Sequence, residues 1–203
     1  MPEENKENKS TDSGTPRWGV AGHDENGEVR LVGNHIYYYA PIINKHIATL
    51  VDNLHSLSNK IRAQAIENGC DVSPIVLHIN SGGGSVIAGI AAMDAVRRSP
   101  VPVHAIVDGI CASAATLPFM VASKRIMGAG SYMLIHQLSS IYFGTYEQLK
   151  DCLVNSKELM RLIRKVYLKR TSIPKKKLDR ILRHDLVFNA KKCLKLGMAD
   201  EVA

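Results

Sequence analysis

The stretch SPIVLHINSGGGSVIAGIAAMDAV, from Ser73 to Val96, constrains the fold more than any other. A short apolar run bounded by Pro74 and a glycine cluster reads as a buried parallel strand. The segment after Ser85 reads as a helix. The pattern then repeats. VPVHAIVDG is a second buried strand, and SAATLPFMVAS is a helix interrupted or kinked at Pro118. RIMG and SYMLIHQ are two more short strands. Strand–helix alternation with short connections predicts an α/β fold with a mostly parallel sheet.

The flanks extend this reading. Residues 1–27 are polar and poor in large apolar side chains, so a disordered tail is expected there. From Val29, EVRLVGNHIYYYA reads as a strand, a turn near Gly33–Asn34 and a second extended piece. Ile43, Ile47, Leu50, Val51, Leu54 and Leu57 have helical spacing. Further on, Tyr146, Leu149, Leu153, Met160, Ile163, Val166 and Tyr167 mark a helix over about 145–170. Its apolar stripe needs a partner to cover it. IPKKKLDRILRHD begins with Pro174 near a helix N-terminus. NAKKCLKLGMADEV reads as a short helix, a stop at Gly197 and a final strand. One domain over residues 28–203 is expected.

Composition narrows the function classes. With 203 residues, 45% of them hydrophobic, the chain can bury a sizeable core. The formal charge of +7 invites a nucleic-acid reading. The excess is local, however. Residues Tyr146 to Ala203 hold 15 Lys or Arg and 7 Asp or Glu, against 11 and 12 in the rest. A solvated surface or a subunit contact accounts for that charge, and no nucleic-acid partner is expected. Cys70, Cys111, Cys152 and Cys193 are far apart, without zinc spacing, so no metal is expected and reduced thiols are. No apolar run reaches the length of a membrane span, and MPEENKENKSTDSGTP has no signal-peptide h-region. These features predict a soluble protein without a membrane partner.

Three residues carry candidate chemistry, each with a plainer alternative. Ser113 follows a strand end and opens a helix, where it is either an N-cap or a nucleophile. Ala115 excludes the G-x-S-x-G elbow. His136 follows an apolar strand, with Tyr132 and Leu134 on its face. It is either a structural histidine or a base of the type that titrates near neutral pH. Asp185 either caps a turn or orients an imidazole; adjacent His184 is a competing base on a basic, solvated helix face. The glycine cluster is either a tight turn or a place where backbone N–H groups approach a developing oxyanion. Gly84 and Gly89 have phosphate-loop spacing, but Ile90 follows where lysine is required. Ile87 likewise breaks the dinucleotide pattern, so no nucleotide cofactor is expected.

Together, INSGGGSVIAGIAAMDAV, GICASAA, MLIHQ and RHDLVFNAKKCLKLGMADEV resemble, in that order, the proteolytic subunit of the Clp protease. The resemblance runs from Val29 to Val202. It implies a crotonase-like α/β spiral with a projecting handle helix, and a serine endopeptidase that degrades unfolded polypeptides and peptides without a cofactor. By matching motifs, Ser113 is the nucleophile, His136 the general base and Asp185 the orienting acid. The amides of Gly84 (or its neighbour Gly83) and of Ala114 form the oxyanion hole. Family members assemble as two stacked heptameric rings fed by an ATP-driven unfoldase. A cytoplasmic, organelle-matrix or phage-infected-cell location follows from the same resemblance. Leu138, Gly82, Ala115 and Pro118 depart from the family's usual residues and mark a divergent member. An inactive ring subunit, or a crotonase-type acyl-CoA enzyme on the same fold, are the alternatives.

Overall fold

The structure, a computed structural model, describes residues 27–203. Up to residue 26, the segment expected to be a tail lies outside the described residues. β1 (Glu28–Val32) and β2 (His35–Tyr39) form an antiparallel hairpin. Its turn holds Gly33 at φ 63°, a left-handed conformation that glycine adopts without strain. α1 (Asn44–Asn68) follows, then β3 (Ile75–Ser81), α2 (Val86–Arg98) and β4 (Val103–Ala112). β2, β3 and β4 are parallel neighbours. α1 and α2 bury their apolar sides in one core with the sheet, through Leu50, Leu54, Ala92 and Met93 against Ile36, Leu77, Ile79 and Val107.

The two central strands differ from expectation in one respect. Each is buried along one face only. Ile75, Leu77 and Ile79 are buried while Val76 and His78 are half-buried and Asn80 is exposed; Val103, Ala105 and Val107 alternate with His104, Ile106 and Asp108 in the same way. The helices cover one face of the sheet and leave the other open in the single chain. On that open face Tyr37 stacks on His78 with ring centroids 4.4 Å apart. His78 Nδ1 lies 2.7 Å from Asp108 Oδ2, and the Tyr39 hydroxyl donates to the same oxygen at 2.6 Å. Partial burial and the Asp108 bond push the Tyr39 pKa up to about 12.

β4 is the strand that organises the site. Its first half pairs with β5 (Lys124–Met127) and its second half with β6 (Tyr132–Leu134), both parallel. The split arises at an irregularity opposite β3. Ile79 faces Val107, but Ser81 faces Cys111, so the β4 strand carries extra residues there. Asn80 fills the gap by accepting the Ile110 amide at 3.1 Å. An added Cβ at Gly109 would come 2.8 Å from Asn80 Oδ1, so a larger residue at the bulge would have to displace the Asn80 amide.

After β4 the chain turns through a 3-10 segment, Ser113–Ala115, into α3 (Thr116–Val121). The expected interruption at Pro118 does not occur. Pro118 is the third residue of a six-residue helix, where an N–H has no intrahelical partner to lose. α4 (Tyr146–Arg170) begins with a capping box between Thr145 and Gln148. α5 (Lys175–Ile181), β7 (Val187–Asn189), α6 (Ala190–Lys195) and β8 (Glu201–Val202) complete the chain. β7 pairs antiparallel with β6, and β8 closes the sheet beside β5. The result is a mostly parallel α/β sheet with a long helix attached at one end.

Two arginines fasten the base of that helix. Arg125, buried, donates to the Arg170 and Gly197 carbonyls and forms a two-point ion pair with Asp200. Arg170 in turn donates to the Met120 and Ala122 carbonyls at 2.6 and 2.7 Å. Burial alone would raise the Asp200 carboxyl, but hydrogen bonds from the Arg125 side chain and amide outweigh it and hold its pKa below the ordinary value.

Candidate active site

Strand register brings three distant residues together. Ala112 pairs with Leu134, so Ser113 emerges from β4 beside the end of β6. Leu134 also pairs with Val187 in antiparallel sense. Two residues past Leu134 is His136, and two residues before Val187 is Asp185. The antiparallel step therefore sets the histidine and the carboxylate opposite each other. His136 lies beyond β6 rather than within it. The Gln137 amide donates to the Leu182 carbonyl at 2.7 Å, which ties the segment after His136 to the end of α5.

Ser113 Oγ is 2.8 Å from His136 Nε2, and His136 Nδ1 is 2.9 Å from Asp185 Oδ1. A carboxylate only accepts, so Nδ1 carries the proton. Nε2 then accepts from the Ser113 hydroxyl. In this arrangement Ser113 caps no helix: the residue at that position is Ala112, without a side-chain bond. His184 is exposed and stands outside this chain of bonds. Ser113 is also the one non-glycine residue with positive φ, 54°, among the described residues. Backbone strain of this kind concentrates where a side chain must be aimed.

The glycine turn lies against the serine. Gly83 has φ 100°, and a Cβ added there would stand 2.7 Å from Ser113 Cβ. Its amide donates to Ser81 Oγ at 3.2 Å. Gly84 forms a parallel bridge with Ile42. The Ile42 amide donates to Gly83 O, and the Ser85 amide to Ile42 O, both at 2.8 Å. By strand alternation, Gly84's own N–H and C=O then point away from Ile42. Gly84 lines a cleft with Ser113, Ala114 and His136. Gly83 thus stands against Ser113 and Ala114, and Gly84 lines the cleft beside them. Gly82 begins the turn at an unstrained φ, and Leu138 lines the cleft.

The cleft has an apolar wall of Val86, Leu117, Leu138, Ile163 and Tyr167. Ile163 and Tyr167 come from α4, a contribution not visible in the sequence, where both look like ordinary members of a helical stripe. Thr116 is fully buried, and its hydroxyl bonds to Tyr167. The thiols near the site are poor nucleophiles. Burial pushes Cys111 far up and Cys193 up to about 12, against a reference of 9.0. Among the described residues no cluster of His, Cys, Asp or Glu is placed to hold a metal ion, and no helix is long and apolar enough to cross a membrane.

Comparison with known proteins gives the family. A sequence profile described as Clp protease matches residues 32–203. A curated relative named ATP-dependent Clp protease proteolytic subunit, from Staurastrum punctulatum, is 34% identical over 142 residues, 67% of this chain and 70% of the relative. An ATP-dependent Clp protease proteolytic subunit 2 from Treponema denticola is 32% identical over 154 residues, covering 72% and 76%. Among solved structures, a ClpP1 mutant from Listeria monocytogenes has a TM-score of 0.72 at 18% identity, covering 84% of this chain and 91% of that one, a likeness of fold. With the profile spanning nearly all the described residues and curated relatives about a third identical over two thirds of the chain, this protein belongs to the Clp protease family.

Proposed function

We propose that this protein is the proteolytic subunit of a Clp-type protease, a serine endopeptidase that cuts unfolded polypeptides and peptides. The observation that carries the reading is the continuous hydrogen-bonded chain Ser113–His136–Asp185, at 2.8 and 2.9 Å. Ser113 Oγ attacks a peptide carbonyl as His136 Nε2 takes its proton. Asp185 holds the imidazole tautomer and stabilises the imidazolium. The amides of Gly84 (or its neighbour Gly83) and of Ala114 receive the developing oxyanion, each contributing about 3 kcal/mol to lowering the barrier. His136 then gives its proton to the leaving amine, and water hydrolyses the acyl-enzyme. An extended substrate pairs with the open side of the Gly82–Gly84 segment through backbone bonds, which suits many sequences.

Assembly and partners belong to the same proposal. Two stacked heptameric rings enclose the sites, and an ATP-dependent unfoldase supplies the chain to be cut. Support comes from the names of the curated relatives and from α4, whose outer apolar residues are uncovered in the single chain. Hydrolysis of an unfolded fluorogenic polypeptide tests the reading. The wild-type chain is expected to cleave it, and Ser113→Ala to lose activity by a factor on the order of 10⁴ or more. Equal rates for the two would refute the assignment. Half of the Asp185 side chain is exposed, so water replaces part of its effect. Asp185→Asn is therefore expected to cost less than Ser113→Ala, at most roughly 10⁴-fold in kcat.

A further inference from the structure

A buried polar pair stands behind the nucleophile. Thr116 Oγ1 lies 2.6 Å from the Ser113 carbonyl oxygen and 2.6 Å from the Tyr167 hydroxyl. Both side chains are buried, at 0% and 2% exposure. A carbonyl only accepts, so Thr116 uses its single proton there. Tyr167 must then donate to Thr116 Oγ1. The chain of bonds has one direction, from Tyr167 to Thr116 to Ser113. Burial raises the Tyr167 pKa, which keeps it a donor.

The peptide unit that carries the Ser113 carbonyl also carries the Ala114 amide. It is planar and trans, so its C=O and N–H point in opposite directions. Fixing the oxygen therefore fixes the aim of the amide. On the amide side lie Gly83, whose added Cβ would stand 3.3 Å from Ala114 N, and the cleft that Gly84, Ser113, Ala114 and His136 line. Ser113 is at φ 54°, a conformation that a serine backbone does not choose unaided. Hydrogen bonds to the Ser113 oxygen hold the plane. The Thr116 amide also reaches the Ser113 oxygen, and the Thr116 hydroxyl, backed by Tyr167, occupies the oxygen's other bonding position.

We infer that Thr116 and Tyr167 are positioning residues that aim the Ala114 amide at the oxyanion. The inference rests on the proposed role of Ser113. Neither side chain touches the reacting atoms; each acts through the Ser113–Ala114 peptide. Tyr167 belongs to the last turn of α4, so the base of that helix and the oxyanion donor are held by one set of bonds.

Steady-state kinetics of the full chain in its assembled state, on a fluorogenic peptide, tests this. Thr116→Val is expected to lower kcat about tenfold with KM within about twofold, because an oxyanion donor acts in the transition state. Thr116→Ser keeps the hydroxyl and is expected to restore wild-type kcat. Tyr167→Phe leaves the Ser113 bond but removes its support, and is expected to lower kcat about threefold. The double variant Thr116→Val, Tyr167→Phe has no orphaned hydroxyl. Its thermal midpoint is expected to rise above that of Thr116→Val while kcat stays low.

Wild-type kcat in Thr116→Val, or kcat returning together with stability in the double variant, would overturn the inference and leave a packing role. Covalent labelling by a fluorophosphonate separates the role of Ser113 from that of Thr116 and Tyr167. Label on Ser113 of the wild type and none on Ser113→Ala preserves the serine assignment, whatever the Thr116 variants do. A wild type unlabelled at Ser113 removes the assignment and the inference with it.

Discussion

α1 and α4 are both 25 residues long, yet the molecule uses them differently. α1 lies on the sheet and buries Ile47, Leu50, Leu54, Leu57, Ile61 and Ala65 along its whole length. α4 buries only Ile163, Val166 and Tyr167, all near its end. Tyr146 is 74% exposed and Leu153 59% exposed. The loop before it continues the open apolar surface through Ile141 and Phe143, the latter 91% exposed. An apolar stripe of equal regularity is core in one helix and an unfilled surface in the other. What differs is the tertiary surroundings: α1 has a sheet under it, whereas only the base of α4 meets α3 and α5. That base supplies the cleft wall and is fastened by Arg125 and Arg170.

Substitutions in the two helices are expected to act differently. Leu54→Ala in α1 removes a fully buried side chain and is expected to cost about 3 kcal/mol in chemical denaturation. Arg125→Met, at the base of α4, strands two carbonyls and the Asp200 carboxylate. It is expected to cost about 2 kcal/mol and to lower the thermal midpoint. Acid probes the same anchor. The Asp200 pKa is lowered in the folded chain, so its contribution is complete above the ordinary value of 3.8 and is lost as pH falls through the lower folded value. The thermal midpoints of wild type and Asp200→Asn are expected to differ at pH 6 and to converge only below the lowered folded value. The smallest effect belongs to the outer half of α4. Leu153→Ser is expected to change subunit stability by less than about 0.5 kcal/mol while shifting light-scattering mass toward smaller assemblies. A loss as large as that of Leu54→Ala, with unchanged assembly, would erase the distinction between the helices.

Much of this architecture is legible in residue periodicity. The hairpin, both central strands, both long helices and the Gly197 stop follow from local pattern. The one-sided burial of β3 and β4 also had a signal, since His78 on one strand and His104 and Asp108 on the other stand at alternating positions. The β4 bulge did not, because it depends on Asn80 filling a gap between strands. The site was legible only in combination. Ser113, His136 and Asp185 each had an ordinary local reading, and no spacing rule relates residues so far apart; strand register joins them. β7 was the missing piece, an apolar stretch whose antiparallel pairing with β6 sets Asp185 opposite His136. Thr116 and Tyr167 were illegible for a different reason. A threonine in a small-residue run and a tyrosine in a helical stripe reveal a shared hydrogen bond only when packed. Pro118, which looked like a break, sits in the one turn where proline costs no bond.

The central claim is that Ser113 is a nucleophile activated by His136. Fluorophosphonate labelling of the assembled protein, read by intact mass and peptide mapping, tests it directly. One adduct per chain is expected, located on Ser113, with a rate that falls at least about 10²-fold in His136→Ala. An adduct elsewhere, or labelling of Ser113 at an unchanged rate without His136, would contradict it.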